Sequence, residues 1–184
     1  MRKLPAGTRA RDATAAPVVF ARVILARDAA RFALAHPRVE LELVAEDRIV
    51  DPVEDNYDLV IRINPPADEL LIGPRIVADR RMLVASPGLP MPPVPGSEAQ
   101  GQELPAVVLS TTRPAASWQV ATSTGNVHAF IPMPVLRLSS LVIVREAVLE
   151  GAAVALLQGL LVARDVAAGR LACWGKDAGP PVEV

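Results

Sequence analysis

The clearest alternation in the chain runs over residues 39–63, VELELVAEDRIVDPVEDNYDLVIRI. Apolar Val39, Leu41, Leu43 and Ala45 alternate with Glu40, Glu42, Val44 and Glu46, the period of a strand with one buried face. A short helix is expected next: Asp51 suits an N-cap, Pro52 is tolerated in a first turn, and Asn56 can adopt the left-handed cap. From Tyr57 to Ile63 the residues are mostly aliphatic, as in a strand covered on both faces, and Asn64-Pro65-Pro66 ends it. Strand, helix and parallel strand make one unit. Upstream, Pro17 opens a helix reaching about Ala35, where His36-Pro37 stops it. Val18, Ala21, Leu25, Ala29 and Phe32 share the face predicted to be buried, and Phe20, Ile24, Arg27 and Arg31 the opposite one.

Downstream, residues 76–85 read as a strand crossing to a second lobe, after which Pro87, Pro90, Pro92, Pro93 and Pro95 exclude a helix. Residues 106–109 form that lobe's first strand. Residues 118–123 and 127–131 flank Thr124-Gly125-Asn126 as a hairpin. Ser139 or Ser140 caps a helix through Glu150, with Leu141, Val144, Ala147 and Val148 inward and Gly151 at its end, and residues 152–157 form a buried strand. Helix, cap and apolar strand thus occur twice, which predicts an α/β fold of two lobes with a cleft between them. The boundaries expected are an irregular lead-in over 1–14, then one domain over 15–184; the family resemblance given below implies lobe I at about 15–80 plus 180–184 and lobe II at about 86–175.

Composition narrows the function. The 184 residues are 51% hydrophobic and carry a net charge of -1, with a pI near 6.1, so no basic field attracts nucleic acid or an anionic membrane. Cys173, the single cysteine, excludes an internal disulfide and reads as a small buried apolar residue. No run is long enough to span a bilayer and the N-terminus lacks an apolar signal core, so a cytoplasmic location is expected.

The segments HPRVELEL and DRIVDPVEDNYDLVIRI, then Leu70-Leu71-Ile72 and Arg81-Met82-Leu83-Val84-Ala85-Ser86-Pro87, resemble the effector-binding (substrate-binding) domain of LysR-type transcriptional regulators. A second block, LRLSSLVIVREAVLEGAAVALLQGLLVARDVAAG over 136–169, is similar to that family's later helix, strand and short helix. The resemblance spans about Ala15 to Val184. It implies a two-lobed, periplasmic-binding-protein-like sensor domain hinged between small Rossmann-like lobes, without the family's N-terminal winged helix-turn-helix or its C-terminal end. It also implies that the first helix packs against a sister subunit through Phe20, Ile24, Arg27 and Arg31, making a dimer.

Catalytic chemistry is not indicated: His36 and His128 are far apart and read as surface residues, and there is no phosphate loop, metal spacing or cofactor motif. Asp47, Asp51, Glu54, Asp55 and Asp58 read as a solvated helix face. Three helix starts remain, at Ala16-Pro17, at residues 47–51 and at Ser139-Ser140, each offering free N–H groups to a small anion. By resemblance, an effector would lie between the lobes against Ala15, Ala16, Asp47, Arg48, Ile63, Asn64, Thr111, Thr112, Ser139 and Ser140. Ala15 lacks the hydroxyl many members carry there, and Asp47 would repel a nearby carboxylate. The function expected is sensing of a small organic, anionic effector, with DNA contacted only through a helix-turn-helix absent from this chain. The alternatives are a transporter's solute-binding protein or a degenerate gene remnant.

Overall fold

In the computed structural model, which describes residues 10–51, 53–65, 73–93, 101–113, 117–122 and 125–184, the chain divides into two units. Unit 1 extends to Ile76 and regains Val184, and unit 2 covers Val77–Glu183.

Unit 1 is built on a parallel sheet of β1 (Ala10–Ala16), β2 (Val39–Ala45) and β3 (Leu59–Val60), in the order β2-β1-β3. β1 pairs with β2 along its whole length, Ala10 with Val39 through Ala16 with Ala45, and with β3 at Thr14 and Ala15. The central strand therefore includes residues 10–14, expected from sequence to be irregular lead-in; residues 1–9 of that lead-in lie outside the described residues. Its small side chains at Ala13, Ala15 and Ala16 are all buried.

The chain leaves β1 through a continuous helical stretch of three parts: α1 (Val18–Phe20), a π segment (Ala21–Leu25) and α2 (Ala26–Ala35). Its limits match the expectation from Pro17 and His36, but its faces do not. Phe20, predicted to face outward, is 2% exposed, whereas Phe32, predicted to be buried, is 37% exposed. The π segment is wound wider than 3.6 residues per turn, so a face drawn with α-helical spacing rotates away on crossing it.

Among the described residues between β2 and β3 there is a single turn rather than a helix. Oδ1 of Asp51 accepts the N–H groups of Val53 and Glu54 at 2.8 and 3.0 Å, and Asn56 adopts the expected left-handed conformation at φ 58°. The acidic run is not a solvated helix face either: Asp58 Oδ2 accepts the N–H of Ala13 at 2.8 Å, and Asp55 accepts Arg48 and the N–H of Asp51.

Unit 2 opens with β4 (Ala78–Asp79), paired antiparallel with the last strand, β11 (Val182–Glu183). Its main sheet contains β5 (Arg81–Ala85), β6 (Gln102–Leu109), β7 (Trp118–Ala121), β8 (Val127–Leu138), β9 (Ala155–Gln158) and β10 (Ala172–Asp177), in the order β6-β8-β7-β10-β5-β9. The sheet curls, because Val107 N–H donates to the Val154 carbonyl at 2.8 Å just before β9, bringing the two ends of the strand order together. Alternate residues of its strands, among them Leu83 and Ala85, Leu104, Ala106 and Val108, and Trp118 and Val120, meet with Phe130 and Trp174 in one core. Helices α3 (Leu141–Leu149) and α4 (Gly159–Ala167) pack on the same sheet and bury Val144, Val148, Leu161 and Val162.

The hairpin joining β7 and β8 is as expected, with Thr122 N–H on the Asn126 carbonyl (3.0 Å) and Gly125 at φ 85°; residues 123–124 lie outside the described residues. Cys173 departs from the expectation: it is exposed on β10, with Sγ donating to the Gly175 carbonyl at 3.5 Å.

Candidate ligand-binding site

The carboxyl ends of the three parallel strands of unit 1 surround a pocket of about 330 Å³. The chain goes from β1 to β2 on one side and then to β3 on the other, so the segments leaving the strands diverge there and leave a crevice, the usual ligand position in open parallel sheets. Ala15, Ala16 and Pro17 contribute the exit of β1, residues 46–50 the exit of β2, and residues 60–65 the exit of β3. Six residues expected at the effector site, Ala15, Ala16, Asp47, Arg48, Ile63 and Asn64, line this one space.

Their chemistry differs from the expectation. Oδ1 of Asp47 accepts the backbone N–H of Val18 at 3.0 Å, so the first helix start is capped by the protein's own carboxylate. The second is filled by Asp51, as described above. At the third, the Ser140 hydroxyl accepts Val142 N–H at 3.3 Å. Each of the three positions read as open to an anion thus has an internal acceptor. A ligand carboxylate about 4 Å from Asp47 would meet a repulsion of about 4 kcal/mol at an effective dielectric constant near 20. The helix dipole returns only about 0.3–1 kcal/mol, so repulsion wins.

Arg48 is also engaged. Its Nε donates to Glu46 at 2.6 Å and its two terminal nitrogens to Asp55 at 3.2 and 3.1 Å. The bonds to Asp55, then to Glu46, raise the guanidinium pKa, while Arg48 holds the Asp55 carboxyl below the usual carboxylate range. Tyr57 closes the cluster, its hydroxyl donating to Glu46 at 3.0 Å; burial, then this bond, raises the phenol pKa.

The second cation of the lining is Arg62, which the sequence reading passed over. Its Nη2 donates to the Val50 carbonyl at 2.7 Å. The available signal was a lone charge near the carboxyl end of an aliphatic run, where a parallel strand delivers side chains to a ligand site.

The other four expected residues belong to unit 2. Thr111 and Thr112 follow β6 and Ser139 and Ser140 follow β8, its parallel neighbour. Ser110 N–H donates to the Leu138 carbonyl at 2.8 Å and Arg137 Nη1 to the Thr112 carbonyl at 3.2 Å, so the four lie at one end of that strand pair. Of the residues expected at a subunit interface, Arg27 and Arg31 are exposed and Ile24 is half-buried, but Phe20 belongs to the core of unit 1. Among the described residues no acidic, histidine or cysteine cluster could hold a metal, and no helix is long and apolar enough to cross a membrane.

The sequence profile of the LysR substrate binding domain matches residues 14–182. The HTH-type transcriptional regulator PtxR of Pseudomonas aeruginosa is 31% identical over 160 residues, covering 85% of this chain and 50% of that protein. DmlR of Escherichia coli, also an HTH-type transcriptional regulator, is 30% identical over 154 residues, covering 83% and 50%. The chain therefore spans about half the length of these relatives. In fold it is similar to the regulatory domain of CrgA, a LysR-type regulator from Neisseria meningitidis, at a TM-score of 0.73 and 23% identity over 95% of this chain and 87% of that one. The regulatory domain of AphB from Vibrio vulnificus matches at a TM-score of 0.69 and 22% identity, covering 96% and 88%. Both structures support the two-lobed α/β class expected from sequence.

Proposed function

Since the chain belongs to the LysR substrate binding domain family, we propose that it is the effector-sensing part of a bacterial transcriptional regulator, which binds a small molecule and performs no catalysis. The carrying observation is the pocket at the carboxyl ends of β1, β2 and β3, formed where a parallel sheet presents a ligand site and lined by six residues that the family resemblance assigns to the effector. Thr111, Thr112, Ser139 and Ser140 are proposed as the contribution of unit 2. Binding would act on DNA contacts made by another part of the full-length, cytoplasmic regulator. Subunits would associate through the exposed face of α2, at Arg27 and Arg31. Both relatives above are transcriptional regulators, which favours this reading over a transporter's solute-binding protein.

A thermal-shift screen of small polar metabolites on this chain tests the assignment. Ile49 lines the pocket yet is 83% exposed, so Ile49→Trp should obstruct the mouth without disturbing the core. Hits should raise Tm in the wild-type chain and lose that effect in Ile49→Trp. A folded chain stabilised by no compound, or hits indifferent to the tryptophan, would reject the site.

A further inference from the structure

We infer that Tyr57 is a positioning residue for the unit 1 pocket: it does not line the cavity, yet through Glu46 it fixes the wall at the exit of β2. This rests on reading the pocket as the effector site.

The wall is held from two sides. Residues 46–48 belong to the lining, whereas Asp55 and Tyr57 do not. On one side, Asp47 Oδ1 accepts Val18 N–H at 3.0 Å, and Glu46 N–H donates to the Ala16 carbonyl at 3.0 Å, continuing the β1–β2 ladder past Ala45. On the other, Glu46 Oε1 accepts the Tyr57 hydroxyl at 3.0 Å while Oε2 accepts Arg48 Nε at 2.6 Å. Arg48 in turn reaches Asp55 with both terminal nitrogens. The two oxygens of Glu46 are thus gripped by donors from different segments, which orients the carboxylate as a single bond does not.

Tyr57 is the anchor of this cluster. The Arg48 side chain is 55% exposed, and its pairs with Glu46 and Asp55 lie at the surface, where water and salt weaken them. Tyr57 is half-buried, and its hydroxyl meets a charged acceptor in partly buried surroundings, where a hydrogen bond is stronger. The bond also spans 11 residues, joining the exit of β2 to the chain just before β3. Removing the hydroxyl leaves the ring packed, so the fold stays while the wall loses its tie.

Tyr57→Phe in the whole chain is the test. Its Tm should change little, while the amides of Glu46 and Val18 should exchange with solvent at least about fivefold faster and those of unit 2 at the wild-type rate. The probes for binding are succinate, benzoate, L-leucine and cyclohexylamine, which differ in charge, so no effector chemistry is presupposed. By calorimetry, any probe that binds wild type should bind Tyr57→Phe about tenfold more weakly. A spectroscopic signature separates positioning from packing. Tyr57 is the chain's one tyrosine, so ultraviolet absorbance follows its ionisation directly. Burial and then the Glu46 bond and charge raise its pKa, with Arg48 lowering it and Asp55 raising it by smaller amounts. Glu46→Gln should therefore move the ionisation down toward the ordinary tyrosine range, which a ring held by packing alone would not show. Unchanged amide exchange in Tyr57→Phe, or a phenol unmoved by Glu46→Gln, overturns the inference. A probe that binds both chains equally overturns it and leaves the effector pocket standing. If no probe binds, the exchange rates and the phenol titration decide, and the pocket is judged by the metabolite screen.

Discussion

Arg145 and Asp165 meet through two parallel hydrogen bonds, Nε to Oδ2 at 2.6 Å and Nη2 to Oδ1 at 2.7 Å, joining α3 to α4. Asp165 is 0% exposed, and Nε of Arg170 adds a bond to Oδ1 at 3.0 Å. Burial pushes the Asp165 carboxyl upward, but the bonds from Arg145 and then Arg170 outweigh it, holding the group below the usual carboxylate range. A carboxyl depressed in the fold contributes stability above its unfolded pKa and loses it as pH falls through the folded value. Asp165→Ala should therefore cost about 3 kcal/mol near neutral pH, because it leaves the largely buried Arg145 with only the exposed Glu146 as a charged partner. Urea unfolding would show this, with the gap to wild type shrinking in acid. A loss no larger than that of an exposed pair, roughly 1 kcal/mol or less, would show that the clamp does not hold the helices.

Asp79 behaves in the opposite sense. Both its carboxylate oxygens accept the N–H of Leu160, at 3.2 Å, at the start of α4. Burial nevertheless raises its pKa, with the backbone bonds only partly offsetting the shift. For a carboxyl raised in the fold, stability is fully present below the unfolded pKa and lost as pH rises through the folded one. Asp79→Asn keeps an acceptor without the desolvated charge. Its Tm should equal or exceed wild type near neutral pH, and any advantage should disappear below the carboxylate range. Asp79→Ala, lacking the acceptor, should cost about 0.5–2 kcal/mol. A large loss in Asp79→Asn at neutral pH would show that the charge itself caps the helix.

What the sequence made legible was local. Ser140, Gly151 and the Val144–Val148 spacing define α3 within a dozen residues, and Thr122 to Asn126 closes its own turn. β1 was hidden because ARDATAA has no large apolar residue; it becomes the central strand only because β2 and β3 supply its partners. The capping of Val18 by Asp47 joins positions 29 residues apart, and no local spacing announces it. β10 escaped notice because its register shifts between Cys173 and Gly175, breaking the alternation that would have marked it and leaving Cys173 outside. At Gly175 an added Cβ would come within 2.5 Å of the Ala121 carbonyl, which explains a glycine inside a strand.

Self-association should be tested on α2, not at Phe20. Phe20→Ala should remove core packing worth about 3–5 kcal/mol and report on folding alone. α2 buries none of its own residues, and Leu34 is 85% exposed. Arg27→Glu, at an exposed position, should leave Tm nearly unchanged and lower the weight-average mass in sedimentation equilibrium. A folded wild-type chain that sediments as a monomer at the highest concentration reached would count against this interface.

Asn64 separates backbone from side-chain roles at the pocket. It adopts φ 45°, a left-handed conformation that asparagine tolerates better than most residues and glycine adopts freely. Asn64→Ala should thus lose about 1–2 kcal/mol through strain, lowering Tm whether or not a ligand touches the side chain. Asn64→Gly relieves that strain and deletes the amide, making it the cleaner probe of ligand contact. With ligand at about a hundred times its dissociation constant, wild type should gain roughly 2.7 kcal/mol by mass action. If the Asn64 amide contributes to binding, Asn64→Gly should show a smaller gain at the same ligand concentration. An identical gain would assign Asn64 to the turn that ends β3 and leave ligand contact to other residues of the pocket lining.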